Sequence, residues 1–132
     1  MIILDTCALI YDALYPQKLG KKTHKNIATA DQTGNLACCD ISLWEIGMLI
    51  EKQRIKITSS TKIFLDLILQ TRNFQVLSIN SDIAEISTNR DLFNHFDPAD
   101  RIIAATTLHY HGKLVTCDDK LSNIPGLTVI WN

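Results

Sequence analysis

The sequence predicts an α/β domain built on a mostly parallel sheet of four or five strands, with helices covering both faces. Three observations carry that expectation. Short apolar runs recur along the chain: IIL at 2–4, LACC at 36–39, FQVLSI at 74–79, KLVT at 113–116 and LTVIW at 127–131. Most of the segments between them have helical apolar spacing, as βαβ units require. The runs are near-continuous rather than alternating, the pattern of strands buried on both sides.

Each element has its own local reason. After the first strand, a helix runs through Ala8, Leu9 and Tyr11 to Leu14 and is closed by Pro16 and Gly20. A polar helix follows from Lys21 to Gln32, and the Gly34-Asn35 turn leads into the second strand. DISLWEIGMLIEKQR then starts with Asp40 or Ser42 as a cap and places Leu43, Ile46 and Ile50 on one helical face. A further helix covers about Thr61 to Thr71 after a TSS polar cluster. Asn80 or Ser81 caps the helix after the third strand. Pro98 opens a long apolar helix to about His111, with Gly112 as its C-terminal cap. A short helical turn near Lys120 to Asn123 and the Pro125-Gly126 break precede the last strand.

With 132 residues and neither linker nor repeat, the expectation is a single domain over 1–132. Apolar residues at 46% and charged residues at 20% indicate a packed core rather than a disordered chain. A net charge of −1 excludes a global basic field. Asp5 interrupts the apolar start, no basic residue precedes it, and no run approaches the ~20 apolar residues of a membrane span. Cys7, Cys38, Cys39 and Cys117 form no CxxC pair and no zinc-ligand spacing with the histidines. They read as small buried thiols in a reducing cytoplasm.

The acids carry the chemistry. In a parallel sheet the loops after the strand C-termini share one edge, where ligands bind. Asp5 follows the first strand, Asp118 follows the fourth, Glu45 lies early in the helix after the second, and Asp100 lies in the first turn of the helix leading to the fourth. Four of the chain's 14 acids thus converge on one edge. Two unit charges ~4 Å apart repel by about 4 kcal/mol at an effective dielectric of about 20. A cation relieves that cost, and hard oxygen ligands without histidine or cysteine suit Mg²⁺ or Mn²⁺. Such ions serve phosphodiester hydrolysis by activating water and stabilising charge on the phosphate and leaving oxygen. Each acid also has a structural role open to it. Asp5 can cap the first helix, Asp118 or Asp119 the short turn, and Asp97 the helix at Pro98, with Asp100 completing the capping arrangement; Glu45 can be a solvated helix residue.

The stretches LDTCALI at 4–10, ISLWEIGML at 41–49, DPADRIIAATTLHYHGKLVTCDD at 97–119 and the closing GLTVIW resemble, in order, the PIN-domain family, and within it the VapC-type toxins of prokaryotic toxin–antitoxin pairs. The resemblance implies a PIN-like three-layer α/β/α domain, a metal-dependent endoribonuclease acting on RNA, and inhibition by a cognate antitoxin protein. It also implies a homodimer. By position Asp5, Glu45, Asp100 and Asp118 match the family's acidic quartet, with Asp118 preferred over Asp119 because it keeps the Thr-x-Asp spacing. Thr6 and Thr116 match hydroxyl positions that support the acids. Cys7 departs from the pattern, standing where relatives carry a polar residue or histidine.

For RNA phosphates, Lys21, Lys22 and Lys25 lie in the densest basic stretch, with Lys52, Arg54 and Lys56 in a second; a solvated helix face is the competing role. Arg101 is placed to meet a phosphate or an acid. Trp44 is expected to pack in the core rather than stack on a base. Leu9, Ile10, Tyr11, Leu14 and Tyr15, with the Trp44–Met48 region, are expected to offer the partner a groove. Two other readings compete: a catalytically inactive PIN-like binding module, and a phosphoryl-transfer domain of haloacid-dehalogenase or receiver type. The dehalogenase type needs an Asp where Cys7 stands, and a receiver needs an acceptor Asp after a middle strand, where this chain has CCD and SIN.

Overall fold

The computed structural model describes residues 1–132. Strands β1 (Ile2–Leu4), β2 (Leu36–Cys39), β3 (Gln75–Leu77), β4 (Lys113–Val115) and β5 (Thr128–Ile130) form one sheet in the order β3-β2-β1-β4-β5, parallel throughout. Seven helices surround it: α1 (Thr6–Leu14), α2 (Lys21–Thr33), α3 (Asp40–Glu51), α4 (Thr61–Gln70), α5 (Ser81–Ser87), α6 (Arg90–Phe93) and α7 (Pro98–His109). No helix is long and apolar enough to cross a membrane.

The two-residue period of the strands divides the core into two halves. Ile3, Ala37 and Leu114 face one side, packed with Phe93, Ile103 and Ala104 of α6 and α7. Leu4, Leu36 and Val115 face the other, packed with Leu9 of α1, Ile27 of α2, Ile46 of α3 and Ile68 of α4. The result is three layers with the sheet in the middle. Register sets Leu4 beside both Cys38 and Val115, so β1, β2 and β4 release the chain along one edge. Arg72, just beyond α4, clamps that frame. Its guanidinium donates to Asp12 of α1 at 2.7 and 3.0 Å and to Asp31 of α2 at 3.3 Å.

Several local expectations give way to tertiary structure. The helix after β3 is two helices, because Asn89 Oδ1 accepts the amides of Asp91 and Leu92 and restarts the backbone there. Neither Asp40 nor Ser42 caps α3. The helix starts directly from the strand with Cys39 at the cap position, Asp40 accepts the Ile79 amide at 3.2 Å, and Ser42 is fully buried. Gly112 is not the left-handed cap of α7, since His111 carries the positive φ of 53°. Gly112 serves close approach: its amide reaches Thr107 O at 3.0 Å, and a Cβ there would stand 3.0 Å from the Met1 carbonyl oxygen. β3 and β5 are also shorter than their apolar runs, because Phe74, Ile79 and Trp131 lie outside the ladder.

Candidate active site

At the shared edge a cavity of about 300 Å³ is lined by Asp5, Thr6, Cys7, Ile10, Glu45, Leu49, Asp100, Cys117 and Asp118. Four elements deliver its carboxylates. Asp5 lies between β1 and α1, at the cap position of α1, and it is only 7% exposed. Its Oδ1 accepts the Ala8 amide at 2.8 Å, so it is a helix cap and a cavity acid at once. Glu45 projects from the first half of α3 and takes a hydrogen bond from the Thr6 hydroxyl. Thr6 Oγ1 also stands 3.0 Å from Ser42 Oγ, which joins the start of α1 to α3 through two buried hydroxyls. Asp118 follows β4. Its amide donates to Thr116 Oγ1 at 3.1 Å, and its Oδ1 accepts the Lys120 amide at 3.0 Å in the loop just before the short turn at Leu121–Asn123, which has no side-chain cap. Asp119 does not line the cavity, and its carbonyl holds the Ser122 hydroxyl.

Asp100, in the first turn of α7, makes no capping bond. Neither does the carboxylate of Asp97, although Asp97 occupies the cap position. Only its carbonyl acts there, accepting the Arg101 amide at 3.0 Å. The side-chain caps expected of DPAD are therefore not formed.

The electrostatics follow from burial and crowding. Burial pushes Asp5 up to about 6, with Glu45 and Asp118 adding repulsion, while the Thr116 hydroxyl and the Ala8 amide pull the other way. Burial also pushes Asp100 up to about 6, helped by Glu45, Asp5, Asp97 and Asp118. Each acid is thus held in a site that resists a second negative charge. The four carboxylates offer oxygen donors and no histidine lines the cavity, which matches a hard divalent cation. It is not a closed cage: no three His, Cys, Asp or Glu side chains are gathered tightly enough to enclose an ion. Mg²⁺ needs no such cage, because it keeps several of its own waters and binds through one or two carboxylates.

The PIN-domain family profile matches residues 2–127. The chain belongs to the PIN-domain family. This PIN domain is 28% identical over 132 residues to Ribonuclease VapC22 of Mycobacterium tuberculosis (strain ATCC 25618 / H37Rv), and the match covers 98% of each chain. Its fold is shared with the DNA-bound VapBC complex of Salmonella typhimurium, at a TM-score of 0.73 and 18% identity over 98% of this chain and 96% of that one. VapBC2 of Rickettsia felis, bound to a DNA fragment from the promoter, gives a TM-score of 0.72 at 20% identity over the full length of both chains.

Around the PIN-domain cavity, several sequence expectations are corrected. Trp44 is 61% exposed rather than packed in the core. Together with Met48, Lys52, Arg54, Asp97 and Pro98 it borders an open cleft of about 460 Å³, which shares Glu45 and Leu49 with the acid cavity. Lys21, Lys22 and Lys25 are exposed on α2 and line neither space. Arg101 pairs with no acid; its Nε donates to the Phe96 carbonyl at 3.0 Å, across the loop before α7. Leu9 is buried in the core and Ile10 is buried against the acid cavity, while Leu14 and Tyr15 are exposed. Cys38 and Cys39 are buried as expected, but Cys7 is only partly so and Cys117 is exposed. Ser42 was not legible as a site residue. Its one signal was a small polar side chain one helical turn before Glu45.

Proposed function

We propose that this PIN domain is a metal-dependent endoribonuclease, the toxin of a toxin–antitoxin pair, and that Asp5, Glu45, Asp100 and Asp118 are its metal-binding and catalytic acids. The observation that carries the proposal is the single cavity those four carboxylates line, reached from four separate elements. The ribonuclease relative and the toxin–antitoxin complexes that share the fold support it.

When bound, Mg²⁺ or Mn²⁺ supplies a Lewis acid and a polarised water to the scissile phosphate. The chain's own groups prepare the place. The Ala8 amide fixes Asp5, the Thr6–Ser42 pair fixes Glu45, and the Lys120 amide with Thr116 fixes the turn bearing Asp118. Lys52 and Arg54 supply cations for RNA phosphates, and Trp44 offers an exposed ring to an unstacked base. This replaces α2 as the strand's path, because the α3 cleft opens directly onto Glu45. The same reading includes an antitoxin partner, a homodimer and a cytoplasmic location.

The test is cleavage of a single-stranded RNA by purified protein with Mn²⁺, with EDTA, and with EDTA followed by excess Mn²⁺. Cleavage is expected only when the ion is free. Hydrolysis that continues unchanged in excess chelator overturns the metal mechanism. Co-expression with a neighbouring small gene checks the partner: a stable complex is expected, and separate elution counts against it.

A further inference from the structure

The Sγ atoms of Cys7 and Cys117 lie 3.7 Å apart, although the residues are 110 positions apart in the chain. Both line the acid cavity. Cys7 sits two residues after Asp5 in the first turn of α1, and Cys117 directly precedes Asp118 on the loop after β4. The parallel pairing of β1 with β4 sets these two exits side by side, so the sulfur contact is a product of the sheet. Cys117 is exposed to solvent, whereas Cys7 is partly covered. The other two thiols, Cys38 and Cys39, are fully buried and beyond the reach of a solute.

We propose that Cys7 and Cys117 form an oxidative modification site, converted by a peroxide into an intramolecular disulfide that disables the acid cavity. The Cys117 sulfur attacks a peroxide oxygen, the O–O bond breaks, and the departing oxygen leaves as water with the thiol proton. The resulting Cys117 sulfenic acid is attacked by the Cys7 sulfur. An S–S bond forms, the S–O bond breaks, and a second water carries away the Cys7 proton. The two thiols together lose two electrons and hydrogen peroxide gains them.

A disulfide has its sulfurs about 2.0 Å apart, well inside the 3.7 Å contact. Closing that gap draws the first turn of α1 toward the 116–119 loop. Asp5 and Thr6 stand on one side of the closure and Asp118 on the other. A misplacement on the order of 1 Å costs about 10²-fold in rate where geometry governs the chemistry. In a reducing compartment the bond is transient and reverses with thiols, as sensing disulfides do. The thiol chemistry stands alone, whereas its effect on cleavage rests on the nuclease reading.

The experiment treats reduced full-length protein with hydrogen peroxide, alkylates it without reductant, and maps cysteines by mass spectrometry. A Cys7–Cys117 cross-linked peptide within one chain is expected, with Cys38 and Cys39 still alkylatable after unfolding. Cys117 found as sulfinic acid beside an alkylated Cys7, or cross-linked between two copies, overturns the proposal. In Cys7→Ser the oxidation should stop at a Cys117 sulfenic acid that dimedone captures; absence of that adduct also counts against it. The disulfide form should cut RNA about 10²-fold more slowly than its own reduced form and recover with dithiothreitol. A mapped disulfide that leaves the rate unchanged removes the control function. Reduced protein that cuts no RNA at all fails the nuclease reading, while the mapping still judges the thiol pair.

Discussion

The Asp5 carboxylate accepts the Ala8 amide at 2.8 Å, so one buried side chain both caps α1 and lines the acid cavity. Structural and chemical roles are usually posed as alternatives for such a residue. Here the two oxygens of one carboxylate allow both.

Substitution separates them. Asparagine keeps the cap acceptor and removes the charge, whereas alanine removes both. Asp5→Ala should be less stable than Asp5→Asn by about 0.5–2 kcal/mol, the worth of a helix cap. Both should lose roughly 10²–10³-fold in cleavage, as expected when one preorganised electrostatic group is removed. Melting in EDTA and single-turnover cleavage in Mn²⁺ check the pair. Equal stability of the two variants would remove the cap from the account.

At the DPAD stretch the roles part company differently. The Asp97 side chain makes no cap bond and is exposed, so Asp97→Ala should cost less than about 0.5 kcal/mol. Because Asp97 is one of the charges holding Asp100 up, its loss should move the acid limb of the pH–rate profile to lower pH. Asp100→Asn should leave the metal-free protein as stable as before, or more so, and reduce cleavage by roughly 10²-fold or more. An Asp100→Asn protein that melts early yet cuts at the parental rate would sink the catalytic assignment.

The raised acids also dictate a pH dependence. Asp5 and Asp100 titrate near 6 in the fold against 3.8 ordinarily, so the folded chain holds protons that the unfolded chain has already released. Their contribution to stability is therefore greatest below the ordinary value and is lost as pH rises from about 4 to about 6. In EDTA the melting temperature should show that loss on top of whatever other groups add. Mn²⁺ competes with the same protons, so its stabilisation should be large above about pH 7 and small at about pH 4.5. A thermal shift with Mn²⁺ that is equal at both pH values would contradict binding at these acids.

Trp44 gives a test of where RNA lies. With 61% of it exposed, Trp44→Ala should change stability by no more than about 0.5 kcal/mol. Loss of a stacking platform should weaken RNA binding by about 1–3 kcal/mol, raising KM with kcat near its parental value. Lys52→Ala should lower the salt dependence of RNA affinity by roughly 0.7 in slope, the share of one phosphate contact on a single strand. Unchanged KM and unchanged salt slope in the two variants would move the substrate path away from the α3 cleft.

What the sequence determined by itself is the alternation of elements and, with it, which acids reach the common edge. Apolar runs at IIL, LACC and KLVT, each bounded by turn residues, dictate parallel strands. A carboxylate at a strand exit has few other places to go once the strand is parallel and central. Asn80 caps α5 as local chemistry predicts, because its partner amide lies within a turn of the backbone. Only the tertiary structure decided the rest. Whether Trp44 is core or surface depends on which face of α3 meets α1 and α4, since apolar residues occur around that helix and its own periodicity is weak. The Thr6–Glu45 bond and the Cys7–Cys117 contact depend on neighbours 39 and 110 residues away. Such pairings are set by strand order and helix docking, which short-range propensity does not encode.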